Sequence, residues 1–336
     1  MMPVDKETTI SQVFSSLQKC IREFSKSEKK ESKEFYASSE LLKHADYKEL
    51  LALRQGLKPT VGFRLPFEPK AYQSAKEWAK ENSFEIGHTT HKYIINSNKD
   101  ICEPIPLDDP RKGDVYVIIA KDFDLVKRGA NSYACDAIEF GRVMGYPECC
   151  LEFGKSLSNN VGREEKLKED FVWSRAKLRS FRNSNYFSYY LNIFHGFGVV
   201  PHMPCHLNCK PSKKYAKEML NILGQENPKL RQYAEFFLKT ASFWWENMGY
   251  ILLSGKWKNK RFRYWDSMPF LGSETFYALP DKNRVKSLRG YFSLVEKGDS
   301  LEISDDCVKV FSEDELIGTI NKNSKYECIL AKPDSG

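Results

Sequence analysis

The sequence predicts a mixed α+β fold, and three observations support that fold class. Apolar residues recur every three or four positions near the N-terminus and through the centre of the 336-residue chain, as in amphipathic helices. Residues 59–130 read as a strand, a helix, a hairpin and a buried strand. Beyond residue 246, short apolar runs separated by turn residues indicate an antiparallel sheet. We therefore expect a small N-terminal α/β unit, a central, mainly helical cysteine-rich region and a short C-terminal antiparallel sheet, packed as one or two domains.

The composition excludes several classes of protein. Hydrophobic residues make up 41% of the chain and charged residues 29%, which is enough apolar surface for a globular core. No apolar run reaches the roughly 18 residues of a membrane span, and the N-terminus is polar where a signal peptide would be apolar. We expect a cytoplasmic protein with no membrane partner. The net charge of +7 permits an anionic substrate or partner without requiring nucleic acid.

The first region, residues 1–58, is predicted to consist of helices. Residues 8–24 place apolar side chains at helical spacing, and so do residues 39–55, with Gly56 as the C-terminal stop. The mixed charge run between these two helices has no apolar stripe, so we expect it to be a solvated segment.

The second region, residues 59–130, is predicted to be a small α/β unit. Its helix covers residues 71–81, after a proline at position 69 that suits the first turn of a helix. Its last strand, residues 114–120, is continuously apolar, as is typical of a strand covered on both faces. The other strands are predicted at residues 61–65, 84–86 and 93–95.

The third region, residues 131–245, is predicted to be mainly helical. A helix over residues 133–144 ends at Gly145, which can adopt the left-handed conformation of a C-terminal cap. Pro147 is suited to the first position of the next helix. Further helices are predicted at residues 163–181, 211–223 and 228–245.

The fourth region, residues 246–336, is predicted to be rich in strands. Residues 250–253 and 262–265 flank a cationic segment and read as a hairpin. Five basic residues lie there among aromatic residues, a mixture that proteins use to grip phosphates and stack bases. These basic residues are Lys256, Lys258, Lys260, Arg261 and Arg263. Further strands are predicted at residues 291–295, 301–303, 307–311 and 316–320.

Two cysteine motifs carry most of the chemistry that this sequence offers. They are Gly145-Tyr146-Pro147-Glu148-Cys149-Cys150 and His202-Met203-Pro204-Cys205-His206-Leu207-Asn208-Cys209. The chain has nine cysteines, an odd number, and clustered cysteines in a reducing compartment indicate metal binding or catalysis more than disulfides. Both motifs adjoin predicted helix N-termini, whose dipole stabilises thiolates. We predict Cys149, Cys150, Cys205 and Cys209 as cofactor ligands, with His202 as a further metal ligand.

Three interpretations of these cysteines remain open. In the first, three thiolates hold a cubane 4Fe–4S cluster and leave one iron open, and the other cysteine or a histidine is available as a fourth ligand. In the second, the same atoms form a tetrahedral zinc site, which is structural if four protein ligands close it and catalytic if water takes one position. In the third there is no metal, and Cys149 or Cys150 is a nucleophile activated by His202 or His206.

Two observations favour a cluster or an open metal site over a closed structural zinc site. A chain of this length has core enough without a structural zinc, and the paired histidines exceed what a closed four-ligand site requires. Imidazole exchanges protons near neutral pH, so we predict His202, His206 and Glu148 as catalytic residues. The predicted substrate-binding residues are Arg142, Lys213 and Tyr146.

Both motifs resemble those of an uncharacterised prokaryotic family, with the patterns Gly-Tyr-Pro-x-Cys-Cys and His-x-Pro-Cys-x3-Cys. The resemblance covers about a fifth of the chain, residues 140–212, and implies no established activity. A looser likeness links the motifs to the cysteine-rich cluster domains of heterodisulfide-reductase type. The present sequence departs from that pattern, because Leu151 stands where a glycine would be and the second cysteine pair is one residue wider.

The sequence thus predicts an iron–sulfur-dependent metalloenzyme that acts on a small, anionic organic substrate. The open iron would serve as Lewis acid or sulfur carrier in lyase, sulfur-transfer or redox chemistry. The alternative is a zinc-stabilised protein that binds or modifies nucleic acid through the hairpin at residues 256–263. The colour and metal content of protein purified without oxygen would separate these two classes.

Overall fold

The structure is a computed structural model that describes most of the chain. The described residues are 9–24, 38–43, 45–96, 101–160, 186–187, 198–202, 204–206, 208–245, 249–258, 261–271, 282–304, 307–321 and 328–333. The helix predicted at residues 163–181 and the tip of the predicted hairpin, residues 259–260, lie outside them. Helices together with two mainly antiparallel sheets confirm the mixed α+β class.

The described part of the N-terminal region contains α1 (Ile10–Phe24), α2 (Ser39–Leu42) and α3 (Tyr47–Arg54). The prediction of a single helix over residues 39–55 is wrong, because Asp46 is extended between α2 and α3. Its carboxylate caps α3 by accepting a hydrogen bond from the Lys48 N–H at 2.9 Å. Gly56 follows α3 with a φ of 75°, so the predicted helix stop is confirmed.

Five antiparallel strands form the first sheet within the described residues: β1 (Thr60–Pro66), β2 (Glu85–His88), β3 (His91–Asn96), β4 (Ile101–Pro106) and β5 (Asp114–Ala120). The strand order is β1-β5-β3-β4, and β2 also pairs with β5. The helix α4 (Pro69–Glu81) contacts β1 and β2. The sequence did not predict β4, whose prolines at positions 104 and 106 obscure the alternation and are tolerated because this strand lies at the edge of the sheet.

Two helices, α5 (Phe123–Ser132) and α6 (Ala137–Val143), lead from the first sheet to the first cysteine motif, and α7 (Glu148–Asn160) begins within that motif. The helix predicted over residues 133–144 begins later, because the Asp136 carboxylate caps α6 through the N–H groups of Ile138 and Glu139. The sequence did not predict α5. Its buried residues are Val126, Gly129 and Ser132, so a single large apolar side chain marks the buried face.

A helical hairpin follows the second cysteine motif and consists of α8 (Lys210–Glu226) and α9 (Pro228–Lys239). Asn227 ends α8 and caps α9, with its side chain accepting from the Lys229 N–H at 2.9 Å. The predicted continuation of α9 to residue 245 is wrong, because Thr240 turns extended and Ala241–Trp245 forms a strand. Within the described residues, no helix is long and apolar enough to cross a membrane.

The second sheet has eight strands within the described residues: β6 (Tyr186–Phe187), β7 (Ala241–Trp245), β8 (Gly249–Lys258), β9 (Arg261–Leu271), β10 (Ser300–Ile303), β11 (Cys307–Ser312), β12 (Glu315–Asn321) and β13 (Cys328–Pro333). Its order is β12-β11-β10-β9-β8-β7-β13-β6, antiparallel apart from the β13–β6 pair. The predicted strand at residues 291–295 is wrong and belongs to the helix α10 (Lys282–Lys297). Phe292 and Val295, three residues apart, are buried against this sheet.

Two hydrophobic clusters form most of the described core. The larger joins α1, α3, the first sheet, α8 and α9, and it reaches the second sheet at Leu252 and Met268. Across it, the rings of Phe14 in α1 and Phe237 in α9 meet edge to face at 6.2 Å. The smaller cluster lies between α10 and the opposite face of the second sheet. The second sheet is therefore covered by α10 on one face and by α1 and α9 over part of the other.

Candidate metal centre

The turn between α6 and α7 sets the position of the first cysteine pair. Gly145 has a φ of 77°, and the N–H of Tyr146 donates to the carbonyl of Gly141 at 2.9 Å, which closes α6 with a left-handed C-terminal cap as predicted. The carbonyl of Pro147 then accepts hydrogen bonds from Cys150 and Leu151 and starts α7. Cys149 and Cys150 consequently lie in the first turn of α7.

The second cysteine pair lies on the segment that enters α8. The Nζ atom of Lys48 in α3 donates to the carbonyl of Gly198 at 2.7 Å and fixes the start of this segment. Near its end, the Cys209 N–H donates to the carbonyl of His206 at 3.0 Å, and Cys209 is the N-cap residue of α8. The two cysteine pairs are thereby presented at the N-termini of two different helices.

All four predicted cysteines converge in space, and we call Cys149, Cys150, Cys205 and Cys209 the cysteine cluster. Their Sγ atoms all lie within 4.8 Å of one another. The Sγ atom of Cys209 is 3.7 Å from that of Cys149 and 3.8 Å from that of Cys150, and these last two are 3.9 Å apart. The Cys205 N–H donates to the sulfur of Cys150 at 3.2 Å. The cysteine cluster could hold a metal ion.

The members of the cysteine cluster differ in their contact with solvent and in their acidity. Cys150, Cys205 and Cys209 are at most 5% exposed, whereas Cys149 is exposed. Burial raises the pKa of Cys150 to about 11 and raises that of Cys205 as well. Burial also acts to raise the pKa of Cys209, but hydrogen bonding from Ser212 and contact with the neighbouring thiols outweigh it and lower that pKa. Cys209 is therefore the buried thiol that ionises most readily.

Ser212, which the sequence analysis missed, links the cysteine cluster to His202. The Ser212 hydroxyl is fully buried and lies 3.3 Å from the sulfur of Cys209 and 3.5 Å from that of Cys150. The Nε2 atom of His202 is 2.8 Å from the same hydroxyl. His202 thus contacts the sulfurs through Ser212. The residues whose ligand atoms lie close enough together to share one ion are the four cysteines, and His202 is not among them. The sequence feature that could have identified Ser212 is its hydroxyl group, three residues after Cys209 and in the first turn of α8.

The remaining predicted catalytic and substrate-binding residues lie around the cysteine cluster in different settings. Glu148 and Arg142 are both exposed and pair with each other through two hydrogen bonds of 2.5 and 3.1 Å, which lowers the pKa of Glu148. His206 is exposed, and its Nδ1 atom accepts from the Asn208 N–H at 3.2 Å. Lys213 is half-buried, and its N–H donates to the carbonyl of Cys209 at 2.9 Å. Their catalytic and substrate-binding roles stay predictions.

Tyr146 stands between the cysteine cluster and a buried ion pair. Its ring lies 5.3 Å from that of His202, and the Nζ atom of Lys58 lies 5.6 Å above it. Lys58 is only 2% exposed, and its charge is balanced by the carboxylate of Glu49 in α3. Burial, with Glu49 nearby, raises the pKa of Tyr146, so its hydroxyl stays neutral. Neither Lys58 nor Glu49 was predicted from the sequence.

A scan of protein-family models and searches of curated proteins and of solved structures found no match to this chain. The resemblance of its cysteine motifs to an uncharacterised prokaryotic family therefore stays a prediction. What is known of the site rests on its own geometry.

Proposed function

We propose that the cysteine cluster binds one zinc ion through four thiolates and that this centre stabilises the fold. The sulfur separations carry the proposal. A tetrahedral ion with metal–sulfur bonds of about 2.3 Å places its sulfurs about 3.8 Å apart. The three sulfur pairs formed by Cys149, Cys150 and Cys209 are separated by 3.7 to 3.9 Å, close to that value.

The same separations favour a single ion over the iron–sulfur cluster predicted from the sequence. A cubane cluster places its irons at different corners, so thiolates bound to different irons stand further apart than thiolates that share one ion. Four thiolates also complete a tetrahedron, which is the arrangement of structural zinc sites, whereas catalytic zinc retains a position for water. Soft thiolate ligands in a tetrahedron select zinc among the common divalent ions.

The ion would join parts of the chain that are far apart in sequence. Cys149 and Cys150 come from α7, whereas Cys209 caps α8 some sixty residues later. Without an ion, ionised thiols at these separations would repel one another. Zinc removes that repulsion and fastens the first sheet and its helices to the α8–α9 hairpin. A fastening role requires no substrate, so enzyme activity stays a separate prediction.

The decisive experiment is metal and sulfide analysis of protein purified without oxygen. We expect a colourless protein with one zinc per chain and no acid-labile sulfide. Replacement of zinc by cobalt should give the blue-green d–d absorption of a tetrahedral thiolate site. Brown protein with iron and sulfide in near-equal amounts would overturn the proposal and support the iron–sulfur enzyme instead.

A further inference from the structure

The second sheet presents a cationic face on the side opposite α10. Side chains alternate between the two faces of a strand, and Phe262 and Tyr264 of β9 are buried on the α10 side. Arg261 and Arg263 therefore point to the other side. The strand register adds further residues to that side, which we call the basic face. Its charged residues on these strands are Lys256, Lys258, Arg261, Arg263, Lys309, Glu302 and Asp266.

Only part of this side of the sheet is covered by described elements. Leu252 and Met268 pack into the larger core cluster, and Asp266 accepts a hydrogen bond from the N–H of Ile10 at the start of α1. Further along β8 and β9 the side chains become accessible, and Lys256 and Lys258 are exposed. The basic face is thus the part of this side that α1 and α9, among the described elements, do not cover.

Positive charge exceeds negative charge on the basic face. Asp314, in the turn after β11, accepts from Arg261 at 3.1 Å and from Arg263 at 2.6 Å, and Glu302 lies 3.5 Å from Arg261. These two carboxylates hold both guanidinium groups in place. The lysines among the five cations make no ion pair with any described residue. These lysines are Lys256, Lys258 and Lys309.

Flat surfaces suited to stacking lie among these cations. The guanidinium of Arg261 lies 3.7 Å from the ring centroid of Phe311, and the Arg261 side chain is 29% exposed. Trp265 is 55% exposed. It is the extra residue of a β-bulge, because Tyr264 pairs with Gly255 and Asp266 pairs with Ser254. Bulges re-aim side chains, and Trp265 follows Arg261 and Arg263 on the same strand.

We propose that the basic face binds single-stranded nucleic acid. The lysines would contact successive phosphates, and the indole of Trp265 and the guanidinium plane of Arg261 would stack on unpaired bases. A duplex hides its bases from such stacking, and an acidic polypeptide lacks bases altogether. This inference does not depend on the metal centre, because no residue of the basic face belongs to the cysteine cluster.

The test is fluorescence anisotropy of the full chain with a labelled oligothymidylate and an oligouridylate of equal length. Both should bind at low salt, with affinity falling steeply between about 50 and 200 mM salt. The oligonucleotide that binds more tightly identifies DNA or RNA as the preferred class. The triple variant Lys256→Gln/Lys258→Gln/Lys309→Gln should weaken binding about 10-fold or more and reduce the slope of log affinity against log salt by about 2.

Two further variants make the result specific. Trp265→Ala should weaken binding about 5-fold or more without changing the salt slope, because it removes stacking and no charge. The control Lys80→Gln/Lys112→Gln/Lys121→Gln removes three exposed cations near the first sheet and should bind like wild type. All variants should keep wild-type zinc content and unfolding midpoint.

Three results would overturn the proposal. The first is absence of binding to both oligonucleotides at low salt. The second is equal loss of affinity in the triple variant and its control. The third is displacement by polyglutamate at the same charge concentration as effectively as by unlabelled oligonucleotide, which would assign the basic face to acidic polypeptides.

Discussion

At the scale of single residues, the four thiols of the cysteine cluster differ in their exposure to water. Cys150, Cys205 and Cys209 are buried, so water should not readily replace one of them as a ligand of the proposed zinc. Cys149 lies at the exposed edge, where water could take its place. The sequence left open which residue of the adjacent pair matters more, and we expect it to be Cys150 because Cys150 is the buried one.

Serine replacements should therefore separate the members of the cysteine cluster. Cys205→Ser and Cys209→Ser should lose the zinc, as should Cys150→Ser, while Cys149→Ser should retain it with weaker affinity. The measurement is zinc content after gel filtration, followed by competition with a chromophoric chelator. Cys135→Ser and Cys307→Ser, outside the cluster, serve as controls. Equal zinc content in all six variants would refute the centre.

Ser212 should tune the affinity of the centre through its hydroxyl. Ser212→Ala removes the hydrogen bond to Cys209 and the contact with His202. Loss of a group that hydrogen-bonds to a metal ligand changes metal affinity about 10- to 100-fold, so we expect about a tenfold rise in the dissociation constant for zinc. The control is Ser156→Ala on α7, whose hydroxyl donates to the Phe153 carbonyl within its own helix. Identical constants for Ser212→Ala and wild type would remove Ser212 from the centre.

At the scale of elements, two helix N-termini face the cysteine cluster. Cys149 and Cys150 lie in the first turn of α7, and Cys209 caps α8. The partial positive charge of each N-terminus favours thiolates over thiols. The α6–α7 turn fixes one of these helices, so its geometry controls half of the ligand set.

Gly145 is the residue on which the α6–α7 turn depends. Its φ is 77°, and an added Cβ would come within 2.6 Å of the Pro59 side chain. Gly145→Ala should therefore destabilise the protein by about 1 to 2 kcal/mol, measured by chemical denaturation. Gly290→Ala provides the matched control, since a Cβ there meets nothing within 4 Å. Because Gly290 lies in the α10 helix, this change should stabilise the protein by about 0.5 to 1 kcal/mol. If both variants changed stability in the same direction, the role of Gly145 in the turn would be contradicted.

At the scale of the whole molecule, the cysteine cluster lies where the first sheet and its helices meet the α8–α9 hairpin. Its buried members belong to the larger core cluster, which also contains β1, β5 and residues of α9. Loss of the ion would thus loosen contacts that the rest of the core also uses. The cysteine cluster and the basic face lie on different elements, so the two proposals can be tested independently.

Zinc should stabilise the whole protein by mass action. When free zinc exceeds its dissociation constant roughly 100- to 1,000-fold, binding to the folded state adds about 3 to 4 kcal/mol. Removal of zinc with a chelator should lower the unfolding midpoint, and re-addition should restore it, while magnesium should not. Cys209→Ser should show no such response. If protein shown to have lost its zinc kept the same unfolding midpoint, zinc would not contribute to the stability of the fold.

The sequence by itself determined the features that depend on neighbouring residues. It identified the four cysteines, the left-handed cap at Gly145, the start of α7 after Pro147 and the β8–β9 hairpin. Cap, turn and ligand chemistry are encoded within a few residues, so short motifs reveal them. The mixed α+β class followed from the same local periodicities.

The tertiary structure decided what depends on residues distant in sequence. The end of α9 at Lys239, the helical state of α10 and the contact of Ser212 with two sulfurs follow from packing between elements. From the sequence alone, the cations and aromatic residues of the hairpin were expected to share one surface. The strand register instead places Arg261 and Arg263 on one face of the sheet and Phe262 and Tyr264 on the other. The sequence also could not fix the distance between its two cysteine pairs. That distance is what distinguishes a single ion from a cluster.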